Sequence, residues 1–158
     1  MNKILISSCL LGNPVRYDGN SKPVYHDIIS HWQQLGCLVT ICPEMSGGLP
    51  VPRPAAEIQL NGRVLTQNGQ DVSEQFILGA QNTLALCQQQ NIKIAILKQS
   101  SPSCGSLNIY DGSFSGQKIS GMGITTKLLT QHGIKVFCEQ TLVEANRYYE
   151  KLEKLISP

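Results

Sequence analysis

What this chain lacks narrows it first. Only 15% of its 158 residues are charged, the formal net charge is +2, and no run of basic residues occurs. Proteins that live on electrostatic binding to nucleic acid carry a basic patch or stripe. Nucleic acid is therefore not the expected partner, while a small anionic ligand is permitted. No apolar stretch approaches the roughly 20 residues that a membrane-spanning helix needs, so no membrane partner is expected. The opening Met1-Asn2-Lys3, followed by Ile4-Leu5-Ile6, has neither the length nor the small-residue cleavage pattern of an export signal. A cytoplasmic protein is expected. No internal repeat or low-complexity tract stands out. The length suits one domain over residues 1–158, able to bury about 70% of its unfolded surface.

Zinc-type ligand pairs are also missing. There is no Cys-x-x-Cys pair, and histidine occurs three times. His26 and His31 fall on different faces of a predicted helix. His132 precedes Gly133 at a helix end, where a histidine meets the last carbonyls. All read as structural or surface residues. Six cysteines are present, an even number that raises the question of disulfides. With no export signal and a core of adequate size, they read as reduced thiols, some buried and some acting as ligands.

The apolar patterning gives an α/β order. Residues 3–8 read as a buried strand, followed by a turn-rich loop over 12–19. A helix over about 25–35 ends at Gly36. Strand two covers 37–41. Four prolines over 43–54 predict a stiff, non-helical loop. Residues 57–60 and 63–66 read as a hairpin around Asn61-Gly62, a pair suited to a type I′ turn. Asp71 and Glu74 have capping-box spacing and open a helix to about residue 90. Strand three covers 92–98, and 105–122 reads as loop. A short helix over 124–131, strand four over 134–138 and an amphipathic helix to about residue 155 complete the chain. This order predicts a Rossmann-like, doubly wound, mostly parallel sheet with right-handed crossovers, strand order 2-1-3-4 and a switch point between strands one and three.

Cys9, Cys42 and Cys104 each come just past an apolar strand pattern. If these strands are parallel, their carboxyl ends share the edge where open α/β sheets take ligands. Thiols distant in sequence would then meet as a metal site with one position left open. Cys37 starts a strand, at the opposite edge. Cys87 sits among Leu84, Ala85 and Leu86 inside a helix. Cys138 ends strand four, so topology alone leaves it open as a ligand, though it has no turn-rich loop behind it. A thiolate set without histidine suits a 4Fe-4S cluster with one iron free of protein ligand, with mononuclear zinc the other possibility.

Glu44 follows Cys42 behind Pro43, close to whatever the thiol binds, and could act as general acid or base. Ser101, three residues before Cys104, could hold an oxyanion, a sulfur or a water. Gly47-Gly48 and Gly121-Met122-Gly123 could bring backbone amides to an anion, the second at a helix start. Arg16 and Arg53 could bind a carboxylate or phosphate. Asp18 and Glu57 are weaker candidates for the site, Asp18 for contact with a substrate; Asp18 equally suits an Asx-turn and Glu57 an anchor for the proline loop. Ser8 and Ser103 flank the thiols as weaker candidates for contact with a substrate.

The linked motifs are recognisable together. Ser8-Cys9-Leu10-Leu11-Gly12 with Arg16-Tyr17-Asp18-Gly19, then Cys42-Pro43-Glu44 with Gly47-Gly48-Leu49-Pro50 and Pro52-Arg53-Pro54, then Ser101-Pro102-Ser103-Cys104-Gly105 and Ile109-Tyr110-Asp111-Gly112, closely resemble the thiouracil desulfidase family. Many relatives have a cysteine where this chain has Val15, which removes that position as a ligand. The resemblance implies a Rossmann-like fold and a 4Fe-4S cluster on Cys9, Cys42 and Cys104. It implies that the fourth iron takes the sulfur of a thiolated uracil-type base or nucleotide. Glu44 would be the acid/base and Ser101 its partner in positioning substrate or water. Non-redox, hydrolytic exchange of C=S for C=O is the expected reaction. A zinc hydrolase on the same thiolates, and a non-enzymatic iron–sulfur carrier or sensor, are the alternatives.

Overall fold

The structure is a computed structural model describing residues 1–156. The expected unit over 1–158 includes residues 157 and 158, which lie outside the described residues. In chain order the elements are β1 (Ile4–Ser7), a 3-10 turn (Ser8–Leu11), α1 (Asp27–Leu35), β2 (Leu38–Ile41), α2 (Pro43–Ser46), β3 (Ala56–Ile58) and β4 (Val64–Thr66). They continue with α3 (Ser73–Gln89), β5 (Ile94–Ile96), β6 (Asn108–Tyr110), β7 (Lys118–Ser120), α4 (Ile124–Gln131), β8 (Lys135–Phe137) and α5 (Leu142–Ile156).

Ile4 to Ile6 of β1 are an unbroken apolar run because helices cover both faces, and every residue of the strand is buried. Ile4 and Ile6 point to one layer, where they meet Trp32 of α1 and Ala145 and Tyr149 of α5. Leu5 points to the other, against Cys87 of α3 and Leu129 of α4. The main sheet is wholly parallel, in the order β2-β1-β5-β8, the order the sequence predicts. Successive strands leave β1 first towards β2 and later towards β5. The carboxyl ends of β1 and β5 therefore flank the switch point, where the sheet opens to ligands.

Two antiparallel hairpins stand beside this sheet, β3-β4 and β6-β7. The first was expected as a type I′ hairpin and closes differently. Gly62 N–H donates to Gln59 O at 2.9 Å, Gln59 N–H donates to Arg63 O at 2.8 Å, and Gly62 alone is left-handed, at φ +84°. This is a type I turn followed by a glycine bulge, which asks for positive φ at one residue rather than two. The second hairpin lies in the stretch expected to be loop. Its strands are three residues long and every residue of β7 is exposed, so neither length nor a buried face marks them.

The proline loop is not wholly non-helical. Pro43 opens the single turn α2, since a proline at the first helical position loses no hydrogen bond the helix would have made. The capping box expected at Asp71 and Glu74 does not form. Asp71 Oδ1 accepts from Ser73 N–H at 2.9 Å and its other oxygen pairs with Arg63, while Ser73 Oγ accepts from Val64 N–H at 2.8 Å. The start of α3 is thus tied to β4.

α2 and α3 touch backbone to backbone. A Cβ on Gly79 would meet Pro43 O at 2.0 Å, and one on Gly47 would meet Gln75 O at 2.0 Å. The pair lets the turn that carries Cys42 and Glu44 rest directly on a long helix.

Candidate active site

The end of β1 runs into the 3-10 turn that holds Cys9, the end of β2 into Cys42 at the head of α2, and the end of β5 into the loop that holds Cys104. All three thiols line one cavity of about 430 Å³, within the usual range for small-molecule sites. Cys9 and Cys104 are buried and Cys42 is half-buried; none is in a disulfide. Burial pushes the Cys9 thiol up to about 11, the nearby Cys42 adds to the rise, and Lys98 and Arg16 oppose it. Burial also raises Cys42, with Glu44 adding and Arg53 opposing. Cys104 is raised furthest, by burial and then by Glu44, Cys9 and Cys42, against a hydrogen bond from Ser7.

This chemistry fits a cationic metal group. Such thiols stay protonated in neutral water, and a bound metal is what makes several thiolates tolerable in one dry place. Among the described residues, no three His, Cys, Asp or Glu side chains converge on one point that a single ion could occupy. A cluster, with its ligands spread over several irons, does not require such convergence.

Beside the thiols stands an acid. Glu44 Oε1 accepts from Arg53 Nε at 3.2 Å, and Glu44 Oε2 accepts from Ser101 Oγ at 3.4 Å. Burial pushes the Glu44 carboxyl above its ordinary value, against the pull of Arg53 and the Ser101 hydroxyl. Ser101 Oγ in turn accepts from Ser103 N–H at 3.0 Å and Cys104 N–H at 3.1 Å. With its lone pairs taken by amides, the hydroxyl has its proton left for Glu44.

A family model described as 2-thiouracil desulfurase matches residues 4–141. The chain belongs to this family. It is 43% identical over 148 residues to the uncharacterized protein YbbK of Bacillus subtilis (strain 168), covering 88% of this chain and 97% of that one. It is also similar to a solved structure, the 4Fe-4S-dependent thiouracil desulfidase TudS. The TM-score is 0.92 and the identity 47%, over 95% of this chain and 99% of that one. Membership of the 2-thiouracil desulfurase family makes the chain an enzyme of sulfur removal with a Rossmann-like fold, as the motifs implied.

The other candidates of the sequence divide. Ser8 and Arg16 line the cavity. Asp18 does not; its Oδ1 accepts from Asn20 N–H at 2.9 Å, an Asx-turn that also sets Arg16 at 3.9 Å. Arg53 lines the cavity, but its guanidinium is committed: Nη1 donates to Pro50 O and Nη2 to Val15 O, both at 3.1 Å, beside the bond to Glu44. Each of its three nitrogens thus already donates within the protein, and it braces Glu44. Gly47 and Gly48 amides donate to Pro43 O and Met45 O, so they are spent inside α2 and its exit. Ser103 faces away, its hydroxyl 2.7 Å from Thr125 Oγ1. Gly121 and Gly123 amides donate to Leu107 O and Gly105 O, and the first amides of α4 donate to Pro102 O and Ser103 O. The expected anion sites at these glycines are therefore filled by the chain itself. Glu57 anchors not the proline loop but the tip of the β6-β7 hairpin, accepting from Gly112 N–H at 2.9 Å and Phe114 N–H at 3.2 Å.

Cys37, Cys87 and Cys138 are fully buried, away from the cavity lining. Cys37 Sγ lies 3.5 Å from Trp32 O, and Cys138 Sγ takes a contact from Thr141 Oγ1 at 3.7 Å.

Sequence reasoning missed several lining residues. Ser7, the last residue of β1, accepts from Lys98 N–H at 3.0 Å and donates to Cys104 Sγ at 3.7 Å. Lys98 reaches Glu139 at 3.0 Å, which holds a positive charge at the cavity wall. Tyr17, Tyr110 and Lys118 also line it. A polar Ser7-Ser8 and Lys98-Gln99 directly after apolar runs were the available signal.

Proposed function

We propose that this protein removes sulfur from a thiolated uracil-type base or nucleotide by hydrolysis. Water supplies the oxygen, C=S becomes C=O, and sulfide leaves; no net electrons move. The observation that carries this reading is the Glu44–Ser101 pair on the same cavity as Cys9, Cys42 and Cys104. Those thiols are the residues that would hold a 4Fe-4S cluster, the group on which the desulfidase TudS depends. When bound through three cysteines, such a cluster offers an iron without a protein ligand, a Lewis acid for the thiocarbonyl sulfur.

The chain's own residues do the rest. Glu44, its carboxyl raised above the ordinary value by burial, takes a proton from water on its Oε atoms and returns it to the leaving group. Ser101 Oγ holds the carboxylate, and its 3.4 Å bond has room to tighten around substrate. Arg53 fixes the carboxylate's direction from the far side. Arg16 and Lys98 place positive charge near Cys9, which offsets the negative charge of the thiolates. Among the described residues no helix is long and apolar enough to cross a membrane.

Anaerobic reconstitution with iron and sulfide, followed by assay on 2-thiouracil without reductant, tests this. Uracil and sulfide should appear in equal amounts over many turnovers. Glu44→Gln should keep its iron and lose about 10²- to 10⁴-fold in kcat. Absence of uracil with fully loaded protein would sink the proposal, and zinc as the native metal would replace it with the hydrolase alternative.

A further inference from the structure

Gln99 lies just past β5 with only 5% of its surface exposed. Its Oε1 accepts four backbone N–H groups: Ser100 at 3.0 Å, Ser106 at 3.2 Å, and Leu107 and Asn108 at 3.1 Å. Its Nε2 donates to Ser106 Oγ at 3.4 Å. The converging donors decide which end of the amide is oxygen. A carbonyl oxygen offers two lone pairs, so this one carries about twice its ordinary load. Three successive amides, 106–108, form the kind of concavity that takes an anion, and here the chain fills it with its own side chain.

The effect is to tie the two ends of a loop together. Ser100, in the left-handed region at φ +70°, is held at the start by Gln99 and by its own Oγ, which donates to Asn108 Oδ1 at 2.6 Å. Residues 106–108 are held at the end. Between the ties sit Ser101, which faces Glu44, and Cys104. We propose that Gln99 is a positioning residue for desulfuration: by gathering the amides of 100 and 106–108 it sets Ser101 against Glu44. This rests on the desulfuration reading above.

The test compares Gln99→Leu, which keeps the bulk and removes the acceptor, with Gln99→Glu, which keeps an acceptor oxygen. Each is made alone and with Ser101→Ala, reconstituted anaerobically and assayed on 2-thiouracil. Amide hydrogen exchange at 100 and 106–108 is followed in the same proteins. Gln99→Leu should lose about 100-fold in kcat, the scale of a ~1 Å misplacement, with KM little changed. Gln99→Glu should keep most of kcat. In the Ser101→Ala background, Gln99→Leu should cost almost nothing more, because residues that act through one another are not additive. The tied amides should exchange faster in Gln99→Leu than in Gln99→Glu. If Gln99→Leu does not fold, Gln99→Asn, one methylene short, must show the same pattern. Additive losses, or unchanged exchange, would overturn the proposal. A wild-type protein that makes no uracil would overturn desulfuration instead, and exchange would still decide whether Gln99 holds the loop.

Discussion

Arg53→Met removes a buried guanidinium that serves three acceptors at once, Glu44 Oε1, Pro50 O and Val15 O. The Arg53 side chain is only 4% exposed and that of Glu44 17%, so little water is at hand to replace the lost partners. Pro50 O loses its partner and Val15 O keeps only a weak contact from Cys42 Sγ at 3.8 Å, a cost of about 1 kcal/mol each whatever the pH, or about 2 kcal/mol together. Glu44 adds a pH-dependent part. Its carboxyl already sits above the ordinary 4.5, chiefly through burial, and losing Arg53 lifts it further. A carboxyl raised in the fold contributes its full stability below its unfolded value, and that stability is lost as pH rises through its folded value. The variant should therefore be about 2 kcal/mol less stable than wild type well below pH 4.5, where the carboxyl is protonated in both proteins. At neutral pH, where breaking a buried pair leaves an uncompensated charge, the difference should be about 3–5 kcal/mol. Urea unfolding at both pH values measures this. Adding Glu44→Gln should recover the pH-dependent part and leave the rest. A destabilisation equal at the two pH values, or unaffected by Glu44→Gln, would refute the assignment of Arg53 as the brace of Glu44.

Cys9→Ser, Cys42→Ser and Cys104→Ser should each cut iron bound after reconstitution at least about 10-fold, while the same change at Cys37, Cys87 or Cys138 leaves it unchanged; metal analysis decides. Gly79→Ala should cost about 3 kcal/mol or more, read by urea unfolding, because the new methyl meets the backbone oxygen of Pro43 at 2.0 Å, which cannot swing aside. Asp71 is held down at about 2, first by Arg63 and then by Ser73, against an ordinary 3.8. Its contribution is present above pH ~4 and lost as pH falls through ~2, so Asp71→Asn should flatten the acid side of the melting curve, less so at high salt.

The sheet could be read in advance because burial on both faces leaves continuous apolar runs, and parallel connections leave helix-length gaps. The thiols could be placed because strand ends in such a sheet share an edge. What escaped was decided by partners far away in the chain. Pro43 looks like a helix breaker until one sees that it is a first residue. Gly47 looks like an anion-binding glycine until Gln75 is found against it. Arg53 looks like a free cation until Pro50, Val15 and Glu44 are found around it. Residues 105–122 hide a hairpin because its strands are too short to repeat a pattern.

The three thiols come from the ends of β1 and β2 and from the loop after β5, and these become neighbours only by strand pairing. That fixes an order of assembly. A growing chain can set Cys9 beside Cys42 once β2 pairs with β1. The third thiol, Cys104, joins them only after α3 has been made and β5 has docked on the other side of β1. With these thiols as the ligands proposed above, a cluster would be inserted into a sheet already paired, unlike a zinc finger whose metal organises the chain. Loss of such a group would leave the strand pairing of the sheet, which is made by backbone bonds alone, in place.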